Sequence, residues 1–235
     1  MTHASDLVEF EDRSAAAGHV AALIEGALCQ SIGSFGEAGL WVSGGTTPIP
    51  VFERLSRRSL AWSQVRIGLV DERFVPESDP RSNAGLVKSH LMQGHAAKPL
   101  NFLPMVVSGR SAAESAGDMD TAYQEVFAQP PVVLLGMGSD GHTASWFPGA
   151  PGLEAVMSPG SPEWIAPIDA TGAPGAGEAP YRLTLTGAAL AACSFAILFL
   201  TGPEKRANLE DRAANLPIHR AERLLGGRLS KVWAP

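Results

Sequence analysis

The sequence predicts a doubly wound α/β fold, in which helices cover both faces of a mostly parallel sheet. Short apolar runs of strand length alternate with helical patterns nearly throughout the chain, which is typical of this class. Several of these runs are continuously apolar, as expected for strands buried on both faces. The chain has 235 residues and no internal repeat, so we expect a single domain over residues 1–235.

The predicted strands share apolar runs or a two-residue alternation. They lie at residues 7–10, 39–42, 65–70, 101–107, 132–135, 164–168, 181–186, 194–200 and 231–233. The last of them is predicted to be an edge strand. The first helix is capped by Ser14 and stopped by Gly33 and Gly36. Further helices are predicted at residues 48–55, 86–91, 111–128, from 202 onwards and 218–225, the second of them after a polar loop that includes Asn83. Residues 171–180, rich in Gly, Ala and Pro, are predicted to form a mobile surface loop.

Charge and composition exclude several classes of function. The net charge is −6, and Lys and Arg are scattered singly, so we expect no nucleic-acid partner and no anionic membrane partner. Isolated cations suit a small anionic ligand. Cys29 and Cys193 have apolar neighbours and are predicted to be buried. No apolar run approaches about 20 residues and the N-terminus is acidic, so we expect neither a membrane span nor a signal peptide, and a cytoplasmic location.

A glycine-rich loop follows the strand at residues 132–135 and is predicted to be catalytic. Gly136, Gly138 and Gly141 let the backbone turn and approach a ligand closely. Asp140 and His142 then lie at the carboxyl end of a strand, where open α/β sheets bind ligands. Imidazole can accept a proton near neutral pH. A lone histidine is more often structural, but an acid in the same loop favours a general base.

Other chemistries have weaker support. Residues 136–141 match G-x-G-x-x-G, but the loop lies past the middle of the chain and Pro148 follows too soon for a long dinucleotide-binding helix. No P-loop and no G-x-S-x-G elbow is present. No two histidines have the spacing of metal ligands beside a Cys or carboxylate partner. We therefore expect no metal.

Three further segments carry candidate anion-binding groups. Ser43, Gly44, Gly45 and Thr46 open a helix, where backbone N–H groups can hold a phosphate; the alternative is a tight turn with a Thr cap. Residues 71–73, Asp-Glu-Arg, follow an apolar strand. They can orient a reacting group and bind an anion, or form a surface salt bridge.

Two isolated cations complete the set of candidates. Arg182 opens a strand, and Lys205 lies in the first turn of a helix. A cation is unfavourable at a helix N-terminus unless an anion is near. Each is predicted to belong to an anion clamp, the alternative being a surface charge.

Together these segments resemble the 6-phosphogluconolactonase family. The segments that carry the resemblance are residues 43–48, 70–76 with Ser82-Asn83, 136–149, 182–186 and 202–205. The resemblance implies a fold shared with glucosamine-6-phosphate deaminases. It implies hydrolysis of 6-phospho-D-glucono-1,5-lactone in the oxidative pentose phosphate pathway, without a metal or an organic cofactor. Trp146 stands where the family more often has an aliphatic residue.

The residues and the resemblance lead to one hypothesis for the site. His142 activates water, and Asp71 or Asp140 orients the site. Arg73, Arg182, Lys205 and the backbone of residues 44–46 hold the phosphate or the developing oxyanion. Asn83 and Gly138 are further predicted binding residues. The sequence leaves open which cation performs which task.

Two other functions are weighed against this one. Deaminases of the same superfamily carry a glutamate five residues after the motif histidine, where this chain has Phe147. A non-catalytic sugar-phosphate sensor needs a DNA-binding segment and a basic face, and we expect neither. The sequence does not decide between a monomer and a homodimer.

Overall fold

The structure, a computed structural model, describes residues 7–235. Its larger sheet contains seven strands: β1 (Leu7–Glu9), β2 (Ala38–Val42), β3 (Val65–Leu69), β5 (Asn101–Leu103), β6 (Val132–Leu135), β9 (Phe195–Thr201) and β10 (Leu229–Ala234). Their order across the sheet is β1-β10-β9-β6-β2-β3-β5. Every neighbouring pair is parallel. The predicted mostly parallel α/β fold is confirmed.

A second, antiparallel sheet was not predicted. It contains β4 (Asp71–Arg73), β7 (Ile165–Asp169) and β8 (Tyr181–Leu185), in the order β4-β8-β7. Residues 71–73, which were predicted to follow a strand, thus form a strand of their own. A three-residue run of charged side chains has little intrinsic strand preference, and its pairing with β8 is a long-range contact that local sequence does not reveal.

The helices mostly follow the predicted pattern. They span Arg13–Phe35 (α1), Ile49–Leu55 (α2), Asn83–His90 (α3), Ala112–Val126 (α4), Leu153–Val156 (α5), Gly187–Ala192 (α6), Pro203–Glu210 (α7) and Pro217–Leu225 (α8). Short α5 and α6 were not predicted. The predicted cap of α1 was wrong: Asp12 caps the helix by accepting a hydrogen bond from the Ala15 N–H at 2.8 Å. Ser14 lies inside the helix, where its hydroxyl accepts from Arg54 at 2.6 Å.

Two further predictions were wrong. β10 is not an edge strand, because it lies between β1 and β9. The edge position is taken by β1, which is short and largely exposed, as expected of an edge that resists further pairing. Cys193 is buried but Cys29 is exposed. Although its neighbours in sequence are apolar, Cys29 falls on the outer face of α1.

Helix α1 also bears on the expectation that no membrane span is present. With 23 residues it is long and apolar enough to cross a membrane by length and composition, a test that core helices of soluble proteins also pass. Its buried residues include Val20, Ile24 and Leu28. They lie on the face that packs against the large sheet and α2.

An aromatic cluster fills the core beside β2 and β3. The Trp41 ring packs against Phe127 at 5.3 Å and against Trp164 at 5.6 Å between centroids, both edge to face. The buried Tyr123 hydroxyl accepts a hydrogen bond from the Leu69 N–H at 2.7 Å. Gly68 lies against this cluster. A Cβ there would be 2.9 Å from both Trp41 and Phe127 and 3.0 Å from the Tyr123 hydroxyl.

We expect Gly68→Ala to lower the free energy of unfolding by about 1–3 kcal/mol, because the added methyl overpacks the aromatic cluster. Gly26→Ala is the matched control: nothing lies within 4 Å of a Cβ at this helical position, and alanine is favoured over glycine there by about 0.5–1 kcal/mol. Urea unfolding of both variants measures the difference. Equal effects at the two positions would contradict the packing argument.

Candidate active site

The order of the large sheet opens a crevice between β2 and β6. The chain runs from β2 to β3 and β5 on one side, then from β6 to β9 and β10 on the other. Right-handed crossovers place the two sets of helices on opposite faces, so the loops after β2 and β6 diverge. Ligands bind at such a reversal of strand order. The Ser43 hydroxyl joins the two loops by accepting from the Gly136 N–H at 3.3 Å.

A cleft of about 270 Å³ occupies this position. Of the predicted site residues, all except Asp140 line it: Ser43, Gly44, Gly45, Thr46, Asp71, Arg73, Asn83, Gly138, His142, Arg182 and Lys205. Asp140 lies in contact with His142. Residues that are far apart along the chain thus meet at one edge of the sheet. Their individual roles stay predictions.

Asp140 and His142 form a hydrogen-bonded pair. The His142 Nδ1 lies 2.5 Å from the Asp140 Oδ1, and the same oxygen accepts from the His142 N–H at 3.2 Å. Burial alone would raise the pKa of Asp140, but the hydrogen bonds and charge of His142 outweigh it and lower that pKa. An ionised Asp140 holds the proton of the imidazole on Nδ1. The Nε2 is then the ring nitrogen that is free to accept a proton.

The space for this pair depends on Gly138. A Cβ at Gly138 would overlap the His142 ring and lie 2.8 Å from the Asp140 Oδ1. The loop is closed by a hydrogen bond from the Gly138 N–H to the His142 carbonyl at 2.9 Å. The backbone therefore approaches the imidazole as closely as a residue without a side chain allows.

Phe147 supports the imidazole from the side. Its buried ring lies 4.3 Å from the His142 ring between centroids. The Arg182 Cζ lies 5.5 Å from the centre of the same ring, so one aromatic side chain contacts both the imidazole and a guanidinium. Ala144, in the same loop, has φ of 51°, a left-handed conformation that costs a non-glycine residue on the order of 1 kcal/mol.

The small sheet brings two arginines together. Arg73 on β4 pairs directly with Arg182 on β8, and like charges at such a position repel each other. Asp71, two residues before Arg73 and on the same face of β4, also lines the cleft. Burial lowers the pKa of Arg182 to about 10, with Asp71 opposing and Arg73 adding to the shift. Arg182 still carries its charge at neutral pH, and an anion between the two arginines would relieve their repulsion.

Asn83 connects the β2 loop to β4. Its Nδ2 donates to the Asp71 carbonyl at 2.8 Å, and a Cβ at Gly44 would overlap its side chain. The Asn83 Oδ1 and the Arg73 Nε are buried without a hydrogen-bond partner among residues 7–235. Buried polar atoms usually have partners, so these two are candidates for contact with a ligand.

Lys205 lies in the first turn of α7 and is half-buried. Burial lowers the pKa of its ammonium, although the neighbouring Glu204 opposes the shift. Within the described part of the chain no carboxylate lies within ion-pairing distance of Lys205. A cation held at a helix N-terminus without such a carboxylate is suited to a bound anion.

The structure adds supporting residues that the sequence did not single out. Glu72 is buried and accepts hydrogen bonds from the N–H groups of Arg73, Asn83 and Ala84, each at 2.7 Å. Burial raises the pKa of its carboxyl despite these donors. Ser145 donates to the Asp71 Oδ2 at 2.7 Å. In the sequence, Glu72 could have been identified as an acid that stands directly before Arg73 at the end of an apolar run. Its hydrogen-bond partners could not be predicted from the sequence.

No group of three or more His, Cys, Asp or Glu side chains in residues 7–235 is arranged to hold a metal ion. The acids of the site are instead paired with His142, Ser145 and backbone N–H groups. The donor set of the cleft consists mainly of cations and N–H groups, which suit an anion.

Comparison with known proteins identifies relatives over nearly the whole chain. The sequence model described as glucosamine-6-phosphate isomerases/6-phosphogluconolactonase matches residues 11–226. A 6-phosphogluconolactonase of Xylella fastidiosa is 40% identical over 233 residues, covering 97% of this chain and 95% of that protein.

Solved structures show the same arrangement. The crystal structure of a 6-phosphogluconolactonase from Shewanella baltica OS155 superposes with a TM-score of 0.87 and 32% identity, covering both chains completely. A monomeric glucosamine-6-phosphate deaminase shares the fold at a TM-score of 0.77 and 16% identity, with 97% of each chain covered. The fold alone therefore does not separate these two activities.

We expect Gly138→Ala to displace the His142 ring, because the new Cβ and the imidazole cannot occupy the same space. Gly136→Ala is the matched control in the same loop, where the nearest neighbour of an added Cβ, that of Ser43, is 4.0 Å away. The measurement is the proton NMR signal of the His142 Nδ1–H, which a short hydrogen bond moves downfield. The signal should be lost in Gly138→Ala and kept in Gly136→Ala. A signal in both variants would show that the loop backbone moves and the hydrogen bond between Asp140 and His142 is kept.

Proposed function

The chain belongs to the family of glucosamine-6-phosphate isomerases and 6-phosphogluconolactonases, and we propose that it hydrolyses 6-phospho-D-glucono-1,5-lactone to 6-phospho-D-gluconate. The observation that carries this proposal is the Asp140–His142 pair beside a cleft that also contains Arg73, Arg182 and Lys205. Hydrolysis of a phosphorylated lactone requires a base for water and positive charge for the phosphate and the oxyanion.

In the proposed reaction the His142 Nε2 takes a proton from a water molecule. The hydroxide attacks the lactone carbonyl carbon and forms a tetrahedral oxyanion. Collapse of this intermediate breaks the bond between that carbon and the ring oxygen, and the imidazolium returns the proton to the leaving oxygen. Asp140 stabilises the imidazolium and fixes its orientation, as acids do in comparable base–acid pairs.

The proposed reaction has two negative groups that the cations can bind. One is the phosphate, which is present throughout, and the other is the oxyanion, which exists only along the reaction path. The arginine pair and Lys205 reach the same cleft as the backbone of residues 44–46. We assign this set to both anions together. Asp71, held by Ser145 and Asn83, offsets the arginine charge and is proposed to position the arginines.

Phe147 favours lactone hydrolysis over deamination. Deaminases of the superfamily carry a glutamate at the position of Phe147, and this chain has an apolar ring there, packed on His142. The discriminating experiment is an assay of purified protein in EDTA with fresh 6-phosphogluconolactone, run beside glucosamine 6-phosphate. We expect hydrolysis of the lactone above its spontaneous rate and no ammonia from the amino sugar. The reverse outcome would refute the proposal.

The proposed function also includes expectations about partners, domain organisation and location. We infer that the substrate is the only partner the site requires, and that residues 1–235 act as one domain in the cytoplasm. Two unpaired cysteines are in keeping with a reducing compartment. A monomer and a homodimer are equally compatible with a cleft built within one chain.

We expect His142→Ala to lower kcat by on the order of 10²–10⁴-fold with little change in KM, because a general base acts in the transition state and not in ground-state binding. Asp140→Asn should also lower kcat, since an amide can hold the wrong imidazole tautomer. Ser158→Ala, outside the cleft, is the control. Steady-state kinetics against the spontaneous rate measures all three, and near-normal turnover by His142→Ala would exclude this assignment.

A pH prediction follows from the lowered pKa of Lys205. Its positive charge should be lost at lower pH than that of an ordinary lysine, whose pKa is about 10.4. The dissociation constant of 6-phosphogluconate should therefore rise on the alkaline side of neutrality. Lys205→Arg keeps its charge to higher pH and should flatten this rise. Calorimetric titrations between about pH 7 and 10 test it; identical profiles for the two proteins would remove Lys205 from the anion site.

A further inference from the structure

Residues 171–180 contact the Asp140–His142 pair. Gly175 lies in a single helical turn, Pro174–Ala176, and lines the cleft. A Cβ at Gly175 would overlap the Asp140 Oδ2 and lie 2.9 Å from both the Asp140 Cγ and the His142 Nδ1. The chain therefore passes over the acid at a distance that a side chain does not permit.

Glycine at this position is explained by the contact and not by backbone conformation. Gly172 and Gly177 have positive φ angles of 85° and 62°, which favour glycine for their own sake. Gly175 does not belong to the positive-φ glycines, so its φ is open to alanine. The atoms nearest to a side chain at Gly175 are those of the carboxylate and imidazole beneath it.

The contact covers an acid oxygen that has no other partner. The Asp140 Oδ1 accepts from His142, whereas the Asp140 Oδ2 is buried and accepts no hydrogen bond from residues 7–235. The covering segment keeps this oxygen out of water. A less polar surrounding strengthens the hydrogen bond that the carboxylate makes with the imidazole.

Arg182 anchors the covering segment. Its Nη2 donates to the Ala176 carbonyl and its Nε to the Ala179 carbonyl, both at 2.6 Å. These two bonds fix the backbone on the carboxyl side of Gly175. The same guanidinium lines the cleft, so the segment over Asp140 is tied to a cation of the candidate anion site.

We propose that Gly175 is a positioning residue of the reaction: by having no side chain, it lets the Arg182-anchored segment seal Asp140 and hold it against His142. This inference rests on the proposed function. Gly175 takes no part in the bond changes of the proposed reaction, and it acts through Asp140.

The test uses Gly175→Ala in the full chain, with Gly160→Ala as matched control. Gly160 precedes β7 and Gly175 follows it. Gly160 also lacks a positive φ, and the nearest neighbour of an added Cβ there, the Ser158 Oγ, is 3.7 Å away. We expect Gly175→Ala to lower kcat by on the order of 10–100-fold with KM within about twofold, and to shift the His142 Nδ1–H signal. Gly160→Ala should change neither.

A double-mutant comparison separates positioning from a general effect on the segment. In an Asp140→Ala background the overlap with the carboxylate is gone and the 2.9 Å approach to the His142 Nδ1 remains, so adding Gly175→Ala should lower kcat by clearly less than it does in the wild type. An equal loss in both backgrounds, or an unchanged kcat and Nδ1–H signal in Gly175→Ala, would overturn the inference. The NMR signal reports on positioning without turnover. Absence of lactonase activity in the wild type and Gly160→Ala would instead refute the proposed function.

Discussion

The structure depends on one topological constraint: the order of parallel strands reverses between β2 and β6. Because all seven strands are parallel, their carboxyl ends lie at one edge, and the reversal is the place where that edge is not covered by a crossover. The β2 loop and the β6 loop must both end there. The hydrogen bond between Ser43 and Gly136 joins the two loops at this point. The candidate base, His142, lies in the β6 loop, and the candidate phosphate-binding residues 43–46 lie in the β2 loop.

The small sheet supplies what the large sheet lacks. The loops of β2 and β6 offer N–H groups and an imidazole, but no guanidinium. β4 and β8 contribute Arg73 and Arg182 as a direct cross-strand pair. Arg182 is buried and Arg73 is partly buried, so their repulsion destabilises the free protein, and Asp71 offsets part of it. A pair held in this way is prepared for a multiply charged anion, since the ligand relieves an interaction that the protein alone leaves unfavourable.

Much of this arrangement was predictable from the sequence. The continuous apolar runs, such as residues 132–135, identify buried strands, and their carboxyl ends identify the loops that meet. The second sheet was not predictable, because the pairing of residues 71–73 with β8 depends on contacts more than a hundred positions apart. Residues 171–180 look like a featureless loop, since the bond of Arg182 to the Ala176 carbonyl leaves no trace in the local sequence.

Three glycines of the site show which contacts could be predicted from the sequence and which could not. Gly44, Gly138 and Gly175 are needed because Asn83, His142 and Asp140 respectively occupy the space of a side chain. None of these glycines has a positive φ, so turn chemistry does not account for them. The first two stand in glycine-rich motifs and were predicted to lie at a site. Gly175 stands in a segment where glycine is common for other reasons, and only the position of Asp140 beneath it distinguishes it from its neighbours. A site of this kind is specified as much by side chains that are absent as by those that are present.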